Sequence, residues 1–391
     1  MIMKKIIIVL MVVVIITADM FAADTIRVIL FTIDGLHWRA PEKLKMPLFN
    51  ALKEEGTYIR KSYMIIPHHP TVGDYSKYNS CSFPNPVLHQ GSLFISPENR
   101  MLQEAVSTHY QTAFVVNTPA YRSVARGFTT VMMDSHLSDK EVVDNAITLL
   151  EQQDFRFMRI HLQSSGTMGE SVALHSADKS YSNNIWAKGS PYVDAIEKAD
   201  RILGEFIAYL RESGKWENTI LIVTSDHGQS NNGWHPMLDE DSWTTPMLFV
   251  GKGIARQREL PYFEHTDLAP TILWLLNMEG IRVNGGEGRI IKEIRENVNS
   301  GGFDHPRHIK IINEQIREYA ILHARMTLAS EKNYALANII ASLDNQNLTP
   351  EPFYHQDRMM EWNKAGSTRH LIEANELILS RMREILKKNS L

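Results

Sequence analysis

Two short segments each end a continuous apolar run with a carboxylate. Ile26 to Ile33 (IRVILFTI) runs into Asp34-Gly35, and Thr219 to Thr224 (TILIVT) runs into Ser225-Asp226-His227-Gly228. Unbroken runs of this kind mark strands buried on both faces of a parallel sheet. In such sheets ligands bind beyond the carboxyl ends of the strands. Asp34, Asp226 and His227 are therefore expected to converge on one rim, where two carboxylates and an imidazole suit a divalent cation. An Asp after a strand also serves as a helix cap or turn residue, and that reading competes for Asp34 taken alone. Asp-His-Gly is harder to explain that way, because a turn has no need of an imidazole. The single cysteine, Cys81, excludes an intrachain disulfide and any CxxC zinc site, so a metal must rest on His, Asp and Glu.

The elements that must position these residues follow from periodicity. Further short apolar runs lie at Thr112 to Val116, Phe157 to Leu162 and Met247 to Val250. Helical patterns are predicted over Met46 to Glu55, where Gly56 ends the helix, over Asp139 to Glu151, and over Tyr192 to Ser213. In the last of these Val193, Ile196, Ala199, Ile202, Leu203, Phe206 and Leu210 recur at three and four. Strands alternating with helices predict an α/β fold with a doubly wound, mostly parallel sheet flanked by helices. Past the linker-like Asn299-Ser-Gly-Gly-Phe-Asp the pattern is helical, over His308 to Ser330, Asn333 to Leu343 and Ser367 to Lys388. On the last helix Leu371, Ile372, Leu377, Ile378, Met382 and Ile385 are expected to form one apolar face.

With these motifs in order, the chain from Ile26 to Ile291 resembles the alkaline phosphatase superfamily, in particular its type I phosphodiesterase (nucleotide pyrophosphatase) and sulfatase-like branches. Supporting segments are Thr245-Pro-Met-Leu-Phe-Val-Gly-Lys-Gly, His265-Thr-Asp-Leu-Ala-Pro-Thr-Ile and Gly286-Glu-Gly-Arg. The resemblance implies an alkaline-phosphatase-like fold and a nucleophile at a helix start, thirteen residues before the proline of a (T/S)GxYP-like turn. Ser80-Cys81-Ser82-Phe83-Pro84 takes the part of that turn, so the count falls on Thr71, just after Pro67-His-His-Pro70. A hydroxyl at a helix N-terminus is well placed for phosphate chemistry; an ordinary N-cap is the competing reading. Cys81 lies away from that position and lacks a CxPSR-like context, which disfavours a formylglycine sulfatase.

Departures from the pattern matter as much. Two-metal relatives carry DxxGH after the strand that precedes their long helix. Here Gln163 stands where the Asp belongs and Thr167 where the His belongs, so the second-metal positions are degenerate. His235 in Gly233-Trp-His-Pro resembles the third ligand of that site. Asp74, three residues after Thr71, replaces an Asn that contacts substrate, and a carboxylate there would repel phosphate unless protonated, paired or cation-bound. The resemblance thus implies one divalent metal, with zinc first and manganese, magnesium or calcium as alternatives, held by Asp34, Thr71, Asp226, His227 and His235. His235, His161 and His69 are candidates to assist the leaving oxygen.

Residues 1–23 have the order of an export signal: Lys4-Lys5, an apolar run from Ile6 to Ile16, then small residues. The run is shorter than the roughly 20 residues of a spanning helix, and an uncleaved anchor is the alternative. The expected organisation is signal peptide 1–23, catalytic domain 24–298, and a C-terminal helical extension 299–391 packed on it. The product would be periplasmic or secreted. A formal charge of −4, without a basic run, argues against nucleic acid, and no window outside the first residues predicts a multi-span membrane domain. Three functions remain open. The first is a metal-dependent hydrolase of small-molecule, glycan or lipid phosphate or sulfate esters. The second is a degenerate ligand- or glycan-binding member of the fold, and the third a phosphoethanolamine-type transferase.

Overall fold

The computed structural model describes residues 26–64, 86–89, 92–95, 100–236, 238–278, 288–300, 308–344 and 369–389. Residues 1–23, His69, Thr71, Asp74, Cys81 and the Gly286 end of its motif lie outside the described residues.

The chain opens with β1 (Arg27–Ile33), helix α1 (Pro47–Glu55) and β2 (Gly56–Tyr63). A separate hairpin of β3 (Pro86–His89) and β4 (Ser92–Ile95) follows. Next come β5 (Gln111–Val116), β6 (Thr130–Met133), α2 (Asp139–Gln152), β7 (Phe155–Leu162), α3 (Ser164–Leu174) and α4 (Pro191–Glu212). Strands β8 (Thr219–Thr224), β9 (Thr244–Gly251), β10 (Arg258–Glu259) and β11 (Phe263–Glu264) lead to α5 (Leu268–Leu275). Helices α6 (His308–Ser330), α7 (Tyr334–Asp344) and α8 (Arg369–Lys388) close the chain.

Nine strands form one sheet in the order β10-β2-β9-β8-β1-β7-β5-β6, with β11 also on β2. The centre is parallel: β1 pairs in parallel with β7 on one side and β8 on the other, and β5 with β7 and β6. Beyond β8 the direction changes, because β9 is antiparallel to both β8 and β2. The sheet is therefore mixed, with its parallel part at the site. Apolar runs alone carry no direction, so the antiparallel β9 was not readable from them. Strand β2 escaped the apolar-run criterion because Arg60 and Lys61 interrupt it on the solvent side.

Each run at the centre is buried on both faces, as its composition requires. On one face Ile29, Phe31 and Ile33 of β1 meet α2 and α4, which present Val143, Ala146 and Leu150, and Ile196, Leu203, Phe206 and Leu210. On the other face Val28 and Leu30 meet Leu268, Ile272 and Leu275 of α5. Burial of a side chain of this size stabilises by about 1.5–3 kcal/mol, so these two layers fix the register of the strand ends. In the C-terminal part, Ile309 and Ile312 of α6 and Leu371 of α8 share a buried cluster with Tyr63, Met64, Trp243 and Tyr262. Leu377 departs from the expected face of α8 and is 63 % exposed. The buried positions 371, 375, 378, 379, 382, 385 and 386 keep helical spacing, and Leu377 falls on the flank of that stripe.

Candidate metal centre

Asp34 leaves the end of β1, and Asp226 and His227 leave the end of its parallel neighbour β8. A turn makes this geometry. Gly35 has φ +62°, a left-handed conformation that suits glycine, and its N–H reaches Asp226 Oδ1 at 3.3 Å. The Ser225 hydroxyl ties the two strand ends together: it accepts from Leu36 N–H at 2.9 Å and lies 2.6 Å from the carbonyl oxygens of Ile33 and His227. Tyr192 of α4 supports the turn from behind, accepting from His37 N–H at 2.9 Å and donating to Gly35 O at 2.8 Å. The glycine of Asp-His-Gly answers to close approach, since a Cβ on Gly228 would stand 1.9 Å from Asp241 O.

Asp34, Asp226 and His227 are buried and offer ligand atoms that all lie within 4.8 Å of one another. Among the described residues no other three His, Cys, Asp or Glu side chains gather in this way. His227 Nδ1 is 2.7 Å from Gly228 O; a carbonyl only accepts, so the proton is on Nδ1 and Nε2 presents its lone pair to the carboxylates. Nε2 lies 3.5 Å from Asp34 Oδ1 and 3.4 Å from Asp226 Oδ2. Ligands of a tetrahedral zinc, with bonds of about 2.0–2.1 Å, are about 3.3 Å apart. The donor set therefore fits a divalent cation in spacing, in chemistry and in tautomer.

The electrostatics agree. Burial, and then the charge of Asp226, raise the Asp34 pKa well above the usual carboxylate range. Burial also opposes ionisation of Asp226, but the neighbouring imidazoles of His227 and His161 and donors from Tyr121 and Gly35 outweigh it and hold Asp226 below that range. Two carboxylates this close and this dry are costly without a cation between them.

His161, on β7, and Tyr121, on the 3₁₀ turn Pro119–Val124, complete the surroundings. His161 Nε2 is 3.1 Å from Asp34 Oδ2. The Tyr121 hydroxyl is 2.8 Å from Asp226 Oδ2 and 3.3 Å from Asp34 Oδ2. Burial, and then the Arg159 guanidinium, push the His161 pKa down to about 3 against the pull of Asp226, so its imidazole is neutral.

The residues expected from the sequence separate clearly. Asp34, Asp226 and His227 come together. His235 is buried with its ring 4.2 Å from that of His227, edge-on, and lies outside the group of three. Gln163 caps α3 and its N–H donates to Asn117 Oδ1 at 3.0 Å, while the Thr167 side chain is exposed. Tyr121 was not singled out by sequence. It follows the β5 run by five residues, so the strand-end rule that found Asp34, extended by one turn, would have reached it.

The sulfatase family model matches residues 74–278, a stretch that holds Asp226, His227, His235, Gln163 and Thr167 but begins after Asp34 and Thr71. A multifunctional alkaline phosphatase superfamily protein from Trinickia caryophylli is 36 % identical over 92 residues, covering 22 % of this chain and 18 % of the relative. A phosphoglycerol transferase I from Xanthomonas euvesicatoria is 32 % identical over 122 residues, covering 29 % of this chain and 17 % of the relative. The matches thus span under a fifth of those relatives. In fold, the chain is similar to a phosphonate monoester hydrolase from Silicibacter pomeroyi, with a TM-score of 0.55 and 14 % identity over 71 % of this chain and 78 % of that one. By the family match over just over half its length, on an alkaline-phosphatase-like fold, this chain belongs to the sulfatase family of the alkaline phosphatase superfamily.

Proposed function

We propose that the protein is an exported, metal-dependent hydrolase of phosphate or sulfate esters with Thr71 as nucleophile. The observation that carries this reading is the buried convergence of Asp34, Asp226 and His227. Two buried carboxylates beside an imidazole are costly to desolvate, and a cation held among them would offset that cost. When bound, a divalent cation, zinc by preference, would supply Lewis acidity toward the ester oxygen and favour the deprotonated nucleophile.

The chain's own groups do the rest. Asp34, Asp226 and His227 hold and orient; the His227 tautomer, fixed by Gly228 O, keeps Nε2 pointed inward. Thr71 would attack phosphorus or sulfur in line, forming a covalent ester that water then cleaves. His235, ring to ring with His227, is the first candidate to give a proton to the leaving oxygen. Export of the protein to the cell envelope rests on the sequence of residues 1–23.

A second reading is transfer to an alcohol instead of water. The similarity to phosphoglycerol transferases favours it, and the same covalent step would serve. A degenerate, ligand-binding role has the two replaced positions, Gln163 and Thr167, in its favour.

The test is metal analysis of purified protein, then turnover of aryl phosphate mono- and diesters and aryl sulfate, with and without glycerol as acceptor. Wild type, Thr71→Ala and Asp226→Asn are compared. Turnover that requires metal, Thr71 and Asp226 is the expected result; acceptor-dependent product would select the transferase reading. Absence of any turnover by metal-loaded protein would remove both catalytic readings and leave the ligand-binding one.

A further inference from the structure

The loop that follows β8 holds its backbone where a bulky residue seldom goes. Gly233 and Trp234 have φ of +88° and +64°. Glycine takes this left-handed region freely, but a Cβ clashes there, and Trp lacks the short polar side chain that lets Asn or Asp compensate. Backbone preference alone would not place an indole at 234. The surrounding contacts impose the shape. Ser230 N–H donates to Trp234 O at 2.8 Å, Gly233 N–H to Ser230 O at 2.9 Å, and Asn232 N–H to the Ser230 hydroxyl at 3.1 Å. Trp234 N–H donates to Gly169 O on α3 at 3.2 Å. Gly233 lies so close to the same helix that a Cβ on it would stand 2.5 Å from Gly169 O and 2.9 Å from Ala173 N.

The rings show what this turn achieves. The Trp234 indole stacks on the His235 imidazole, with centroids 4.0 Å apart and planes 26° from parallel. The same imidazole meets His227 edge-on at 4.2 Å. His235 is buried and Trp234 only half-buried, so the indole takes the solvent side of the pair. Pro236 disfavours helical backbone at His235, which narrows its freedom further. Strain of this kind persists only where the surroundings over-determine it, and it gathers at functional sites.

Resting on the reading of His235 as the proton donor to the leaving oxygen, we propose that Trp234 is a positioning residue. Its strained turn and stacked ring hold the His235 imidazole beside His227. As the bond from phosphorus or sulfur to the leaving oxygen breaks, that oxygen keeps the electron pair and takes a proton from the imidazole, which water restores. Such transfer needs the donor within hydrogen-bond reach, and a misplacement of about 1 Å costs about 100-fold. Assistance matters most when the leaving oxygen is a strong base and least when it departs as a stable anion. Trp234 therefore acts on esters with poor leaving groups.

The test uses the metal-loaded full chain with Trp234→Gly, which suits the turn and removes the ring, Trp234→Phe, which keeps a flat ring, and Trp234→Ala. The substrates are the phenyl and dinitrophenyl esters of whichever acid, phosphoric or sulfuric, wild type hydrolyses. On the phenyl ester Trp234→Gly is expected to lose about 10- to 100-fold in kcat/KM, which includes departure of the leaving group. His235→Gln should lose as much, and the double variant no more than the worse single one. On the dinitrophenyl ester the same variants should stay near wild type, and Trp234→Phe should recover most of the loss on phenyl. Trp234→Gly should also melt about 2–4 °C above Trp234→Ala, the reverse of the order at an ordinary position. In protein with ¹³C-labelled histidine, the ring-proton signal lost in His235→Gln should lie upfield in wild type, because the indole face shields it, and move downfield in Trp234→Gly. Equal loss on both esters, no loss on either, or a His235 signal indifferent to Trp234→Gly would overturn the proposal and leave the hydrolase standing. If wild type turns over no ester, the hydrolase falls, and the signal and the melting order decide the rest. Both as expected would keep Trp234 as the residue that places His235; either one missing would end that too.

Discussion

On the His227 side of the carboxylate pair, Nε2 lies 3.5 Å from Asp34 Oδ1 and 3.4 Å from Asp226 Oδ2, with lone pairs on all three atoms. On the Tyr121 side, protein groups stand against the carboxylates: the Tyr121 hydroxyl is 2.8 Å from Asp226 Oδ2 and His161 Nε2 is 3.1 Å from Asp34 Oδ2. The two flanks share Asp34 and Asp226 and differ only in what surrounds them. A carboxylate is an acceptor by nature, and its neighbours decide whether it accepts from a cation or from a hydrogen bond. A strand-end Asp therefore does not specify how many ions a centre holds.

The comparison breaks most completely if the ligand side is removed. Asp226→Asn and His227→Ala are each expected to abolish stoichiometric Zn²⁺ binding and metal-dependent turnover, measured by element analysis and aryl ester assays. Gly166→Ala should come next. A Cβ there would lie 1.8 Å from Asp34 Oδ1, on α3 where backbone has little room to yield. It should cost about 1–3 kcal/mol by overpacking and also weaken Zn²⁺ binding, because the displaced oxygen is the one facing His227.

Acidity sharpens the same contrast more gently. The native Asp34 pKa is raised, so above the ordinary carboxylate range, near 4, the metal-free native state keeps a proton that the unfolded chain has lost. Stability of the metal-free protein should therefore fall as pH rises from that range toward the raised value. Asp34→Asn should flatten the fall, by about 1.4 kcal/mol for each unit of the native shift, and saturating Zn²⁺ should reverse it in wild type only. Thermal melting from pH 4 to 8 reads all three. The smallest effect is expected at the exposed Thr167: Thr167→Ala should stay within about 0.5 kcal/mol of wild type and leave Zn²⁺ affinity unchanged.

The parts of this centre legible in the sequence were those that hydrophobic burial dictates. A strand covered on both faces must be apolar throughout, so the first polar residues after Ile33 and Thr224 announced themselves, and with them Asp34, Asp226 and His227. What was not legible depends on pairing across distance. Strand β9 runs antiparallel, and no local pattern records direction. Tyr121 reaches the carboxylates only because β5 lies next to β7, beyond β1, and a phenol in a Pro-Ala-Tyr turn reads locally as core. His161 was noticed only as an imidazole near a strand end; its donor role follows from Arg159, two residues away on the same strand face, whose Nη2 lies 3.5 Å from His161 Nδ1. The expected roles of Thr71 and Asp74 rest on spacing within a resemblance, and lie outside the described residues.

One feature of the architecture governs when the centre can exist at all. The Ser225 hydroxyl joins strand ends that are 189 residues apart at Leu36, and the parallel pairing of β1 with β8 is equally remote in sequence. Contacts of such separation form late, after the entropy of closing a long loop has been overcome. Zinc would then have no assembled donor set to find on the unfolded chain. Added metal should leave the refolding rate nearly unchanged and act almost wholly by slowing unfolding, so the ion would serve as a latch on a finished structure and not as a seed for it.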